Sequence, residues 1–153
     1  MTAKEYLSLN KTYEKMISEY LNEIQRLNDI ATSITQTAKT DVVQTSGSQQ
    51  RMADAVTDVV YYQEKIRDAV SEMIQYRQDV KTMINSMERT SYREVLWYRY
   101  INDYTFEKVA VSMDKSWRHV IRLHGKALAE FQKKYSDKLN LCHCLSYKER
   151  DMV

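Results

Sequence analysis

The sequence predicts an all-α protein, and three observations carry that expectation. The 153 residues hold no proline and only two glycines, Gly47 and Gly125, so helices have few natural stopping points. Lys, Glu, Gln, Met, Leu and Ala, all good helix formers, are abundant. Apolar residues also recur at seven-residue intervals over long stretches, the mark of a coiled-coil seam. Together these predict a long antiparallel, coiled-coil-like helical hairpin over 1–88, a helix-turn-helix domain over 89–138 and a tail over 139–153.

The first helix is expected from Ala3 to about Ile34. Tyr6, Tyr13, Tyr20, Leu27 and Ile34 share one register, Leu9, Met16 and Ile30 the companion register, and Glu23 interrupts the seam. The segment Thr32 to Gln50 is rich in Ser and Thr and contains Gly47, so a loop or frayed end is expected, with the connector near 35–50. The spacing then returns from Gln50 to Glu88. Met52, Val59, Ile66, Met73, Val80 and Met87 form one row, Ala55, Tyr62, Ala69, Tyr76 and Met83 the next, and Val56, Val70 and Ile84 flank them. Asp58, Lys65, Asp68, Glu72, Asp79 and Lys81 occupy the opposite face. Two such helices joined by a polar link form an αα-hairpin.

Ser91 with Glu94 three residues on has the spacing of a capping box and is expected to open a helix ending near Asn102-Asp103. Thr105 is expected to cap a short helix, Phe106 to Met113, with Val109, Ala110 and Met113 facing inward. Asp114-Lys115 makes the break, Asp being a residue that tolerates the left-handed conformation. Ser116 then caps a helix that buries Val120, Leu123, Ala127 and Leu128. Trp117, Arg118, Ile121, Arg122, Gly125 and Lys126 are left pointing outward. This is a helix-turn-helix, whose second helix enters a DNA major groove.

Charge supports that reading. Residues 1–87 hold 10 Lys/Arg and 12 Asp/Glu, whereas residues 88–153 hold 13 and 9. Between Lys115 and Lys134 six basic residues stand against Glu130 alone, the footprint of a phosphate-binding surface. Two distant glycines do not suit a phosphate-cradling loop or a dinucleotide fingerprint, and no acid/base or nucleophile constellation emerges, so no enzyme and no cofactor is expected. Cys142-His143-Cys144 resembles half a zinc site, but no second Cys pair completes a tetrahedral set, so no metal is expected. Absence of an apolar run long enough to span a membrane, and of an export signal core in Met1 to Asn10, predicts a cytoplasmic protein without membrane contact.

Residues Arg93 to Leu128 resemble region 4 of bacterial sigma-70 factors, which reads the −35 promoter element. The pieces that carry the resemblance are Arg93-Glu94-Val95-Leu96, Arg99-Tyr100, Val109-Ala110, Ser116, Val120 and Ala127-Leu128. The whole chain, from its opening Met-Thr-Ala-Lys-Glu-Tyr-Leu to Arg122-Leu123-His124-Gly125-Lys126-Ala127-Leu128, is similar to phage and prophage sigma-like (ArpU-type) transcriptional regulators. The resemblance implies base reading at Trp117, Arg118, Ile121 and Arg122. Trp117 and Ile121 depart from the usual polar residues there, which counts against an ordinary −35 sequence and leaves contact to thymine methyls open to them.

The expected function is sequence-specific binding of double-stranded DNA through Lys115, Ser116, Trp117, Arg118, Ile121, Arg122 and Lys126. The resemblance implies regulation of late or structural gene promoters with host RNA polymerase, and the hairpin offers a surface for homodimerisation. Two alternatives share the fold: a DNA-packaging subunit of the small terminase type, and a helical adaptor that binds only protein.

Overall fold

The computed structural model describes residues 1–40 and 46–140, with side chains described over 1–33 and 50–140. Among them every regular element is helical. In chain order these are α1 (Ala3–Leu7), α2 (Leu9–Thr40), α3 (Ser46–Asn85) and α4 (Thr90–Leu96), which runs into a π-helical turn (Trp97–Ile101). Then follow α5 (Phe106–Ser112) and α6 (Trp117–Lys134), with residues 136–140 helical again. No helix among the described residues is long and apolar enough to cross a membrane.

The chain divides into two compact units, Lys11–Ile74 and a second made of Met1–Asn10 with the chain from Gln75 onward. The helix-turn-helix segment expected over 89–138 therefore shares its unit with the N-terminal residues and the end of α3. In the first unit α2 and α3 run antiparallel. Tyr20 meets Tyr62 with ring centroids 5.9 Å apart, and Arg26, further along α2, feels the field of Asp58, earlier on α3. Leu27, Ala55 and Ala69 are buried here, while Leu21, Ile30, Met52, Val56, Val60, Tyr61 and Ile74 stay exposed. Ile30 and Met52, expected in the seam, and Val56, expected beside it, are among the exposed residues. An apolar stripe wider than one neighbouring helix is only partly covered by it.

In the other unit α6 is the hub, with α1, α4 and α5 packed on it. Its core is formed by Leu7, Val80, Ile84, Met87, Val95, Leu96, Val109, Val120, Phe131 and Leu139, all essentially inaccessible to solvent. Burying side chains of this size stabilises by about 1.5–3 kcal/mol each before ordering entropy is counted. Polar pins close the packing. The Tyr76 hydroxyl donates to the Tyr6 carbonyl at 2.8 Å, Tyr135 Oη donates to the Met83 carbonyl at 2.8 Å, and Lys138 pairs with Asp79 at 3.0 Å.

Local structure adds to or departs from these expectations at several points. The first helix breaks at Ser8, whose amide is shared between the Lys4 and Glu5 carbonyls, both at 3.1 Å, leaving α1 as a separate turn capped by Thr2 and Glu5. Within the Ser/Thr-rich stretch expected as a loop or frayed end, α2 runs to Thr40 and α3 starts at Ser46, while 41–45 lie outside the described residues. Thr32 and Ser33 return their hydroxyls to the Asn28 and Ile30 carbonyls at 2.8 Å, so these side chains do not compete with the helix. Ser91 does not cap α4, because the Arg89 carbonyl accepts the first helical bonds and places Ser91 inside the helix. The helix expected to end near Asn102-Asp103 does end there, but through a π turn: the Asn102 amide donates to Trp97 at 3.1 Å, and Asp103 takes φ 51°.

Candidate nucleic-acid interface

The unit α5–turn–α6 is built from short-range chemistry that the sequence carries openly. Thr105 opens α5 by accepting from the Lys108 amide at 3.4 Å, and Val109 and Ala110 bury the helix's inner face. Asp114 takes φ 50°, the left-handed conformation expected of it. The Lys115 amide donates back to Ala110 at 3.0 Å and the Asp114 amide to Val111 at 3.2 Å, the paired bonds of a Schellman ending. Ser116 then accepts from the His119 amide at 3.3 Å and starts α6. The connection is thus only Met113 to Ser116.

One face of α6 is buried through Val120, Ala127 and Phe131. Leu123 and Leu128, expected inside, are half-buried. Of the predicted DNA-contacting residues, Lys115, Ser116, Trp117, Arg118, Arg122 and Lys126 are exposed, with Trp117 at 50%. Ile121 is half-buried, a correction to its expected outward position, because its place on the helix lies toward the flank of the buried stripe. The structure brings these residues together on one helix and its entry turn. No acidic partner is found for Lys115, Arg118, Arg122 or Lys126 among the described residues. Lys134 is different: its ammonium donates to the Ser86 carbonyl, so the fold already uses the last charge of the basic segment.

Several neighbours were not legible in the sequence. His124 is wedged between Tyr100, whose hydroxyl lies 3.1 Å from Nε2, and the edge of Phe106, with ring centroids 5.0 Å apart. Burial first, then the charges of Arg99 and Lys4, hold its imidazole down at about 4, so it is neutral at physiological pH. Arg99 lies over Phe106 at 4.8 Å and donates to the Tyr104 carbonyl at 2.7 Å. The π turn supplies these contacts by adding a residue where Arg99 and Tyr100 must reach α5 and α6. Glu107 is kept below the ordinary carboxylate range by its own backbone amide, then the Thr105 hydroxyl, and also by the Trp117 side chain. Val111, four residues beyond Glu107, is 82% exposed. The tail residues Cys142, His143 and Cys144 lie outside the described residues.

Fold and site together define an all-α protein with a capped two-helix unit that presents a cationic helix face. The chain belongs to the family described as "Protein of unknown function (DUF1492)", which matches residues 33–132 and so takes in α3, α4, α5 and most of α6. No curated protein and no solved structure matches the chain.

Proposed function

We propose that this protein is a sigma-like phage or prophage transcriptional regulator that binds duplex DNA through α6, acting on late or structural gene promoters with host RNA polymerase. The observation that carries the reading is the set Lys115, Arg118, Arg122 and Lys126, exposed and without acidic partners among the described residues, on the helix that follows a tight capped turn. Cations left unpaired at the start of such a helix are what phosphate and guanine contacts require. The hairpin, with Val56, Val60 and Tyr61 exposed on α3, serves as the surface for a second copy of the chain.

The test is binding of the full chain to a random-sequence duplex pool, followed by measurement on the enriched duplexes. The wild-type chain should enrich defined sequences, and Arg118→Ala with Arg122→Ala should abolish that enrichment. A chain that binds no duplex at low salt would sink the reading. It would favour the protein-binding adaptor, for which the exposed apolar residues of the hairpin are the supporting observation. A closed multi-subunit ring in solution would instead favour the DNA-packaging reading.

A further inference from the structure

Residues 117, 121 and 125 of α6 stand four apart and form one row along the helix, while 118, 122 and 126 form the adjoining row. The first row reads Trp117, Ile121, Gly125, and the second Arg118, Arg122, Lys126. Their chemistry is complementary. The cationic row can serve phosphates and guanine edges, whereas the apolar row can accept nothing and has one donor, the Trp117 indole N–H. The indole is half exposed, and Ile121 in the same row is half-buried.

Gly125 adds an independent observation. It is exposed inside a helix, where glycine is unfavourable relative to alanine. A Cβ built on it would meet nothing within 4 Å, so no contact within the fold requires a glycine there. An unfavourable residue with no internal reason, at the end of a row flanked by three cations, is suited to close approach of something external and negatively charged.

The major groove of duplex DNA exposes donors and acceptors on every base pair, but only thymine offers an apolar group, its C5 methyl. Resting on the DNA-binding reading above, we propose that Trp117 and Ile121 read thymine methyl groups in the major groove, with Gly125 leaving room for the groove wall and the Arg118–Lys126 row holding the backbone. The target class is thus duplex DNA whose specificity lies in the placement of thymine, rather than in hydrogen-bond patterns under the first two turns of α6.

The experiment uses the wild-type chain and duplexes enriched from a random-sequence pool. Each is resynthesised with deoxyuridine in place of deoxythymidine, which removes the methyl and nothing else. Each contacted methyl lost should weaken binding about fourfold, the equivalent of about 0.8 kcal/mol of apolar burial. Trp117→Ala, checked for unchanged helix content, should show a smaller uridine penalty than the wild-type chain, keeping only the part that belongs to Ile121. Equal binding of both duplexes by the wild-type chain would overturn the methyl reading while leaving DNA binding intact. An undiminished uridine penalty in Trp117→Ala would overturn the assignment to Trp117. Failure to bind either duplex at low salt would remove the DNA-binding reading itself, and this inference with it.

Discussion

His124 stands on a basic helix yet carries no charge at physiological pH. Its ring is packed against Tyr100 and Phe106, and its imidazole is held down at about 4 against an ordinary 6.5. Because the folded value lies below the unfolded one, the unfolded chain takes up the proton first as pH falls. The stability contribution of neutral His124 is present above pH 6.5 and is lost as pH drops toward about 4. Denaturant midpoints measured across that window should fall for the wild-type chain and fall less for His124→Gln. Equal pH profiles would show that His124 does not control this response. Gly125 gives a second prediction at this scale. Gly125→Ala should stabilise the fold by about 0.5–1 kcal/mol in thermal or denaturant unfolding, since the new Cβ enters open space. A loss of stability would place an unseen constraint at that position.

At the scale of the element, the turn between α5 and α6 is set by local rules. Asp114 at φ 50° accepts a conformation that costs other residues about 1–2 kcal/mol. Asp114→Gly should therefore be neutral or mildly stabilising, while Asp114→Val should destabilise by about 1–2 kcal/mol in chemical unfolding. Ser116→Ala should cost about 0.5–2 kcal/mol, because it leaves the His119 amide without its cap.

These features were legible because they depend on neighbours in sequence: a Thr or Ser before a helix, an Asp where the backbone turns left-handed. The all-helical class was legible for a similar reason, since missing proline and scarce glycine act everywhere along the chain. What escaped depends on tertiary context. The break at Ser8 separates a turn that docks on α6, and nothing local marks it. Arg89 rather than Ser91 starts α4, because a hydroxyl at the right spacing is a permitted cap and not an obligatory one. The π turn at Trp97–Ile101 places Arg99 and Tyr100 against residues distant in sequence. Heptad spacing correctly marked the apolar face of α3, yet it could not say how much of that face one partner helix covers. Tyr76, Val80 and Met83 are buried, whereas Met52 and Val56 on related registers are exposed. In the site, the cationic row was readable from charge alone. The half-burial of Ile121 needed the tertiary packing of α6.

For the molecule as a whole, the proposed regulator combines a pairing surface with a DNA-reading surface. The hairpin unit leaves Val56, Val60 and Tyr61 exposed on α3, an apolar run that water disfavours. Sedimentation of the full chain should give a dimer, and Val56→Ser with Val60→Ser should shift it toward monomer without loss of helix content. A wild-type chain that stays monomeric at high concentration would leave that surface for a different protein.

The proposed engagement of DNA by α6 through Arg118 and Arg122 is tested most directly by the salt dependence of duplex binding. Counterion release makes log affinity fall with log salt by about 0.9 for each phosphate neutralised. If both arginines contact phosphates, Arg118→Ala with Arg122→Ala should weaken binding and reduce the magnitude of that slope by about 2 relative to the wild-type chain. Unchanged affinity together with an unchanged slope would contradict the assignment of α6 as the DNA-binding face.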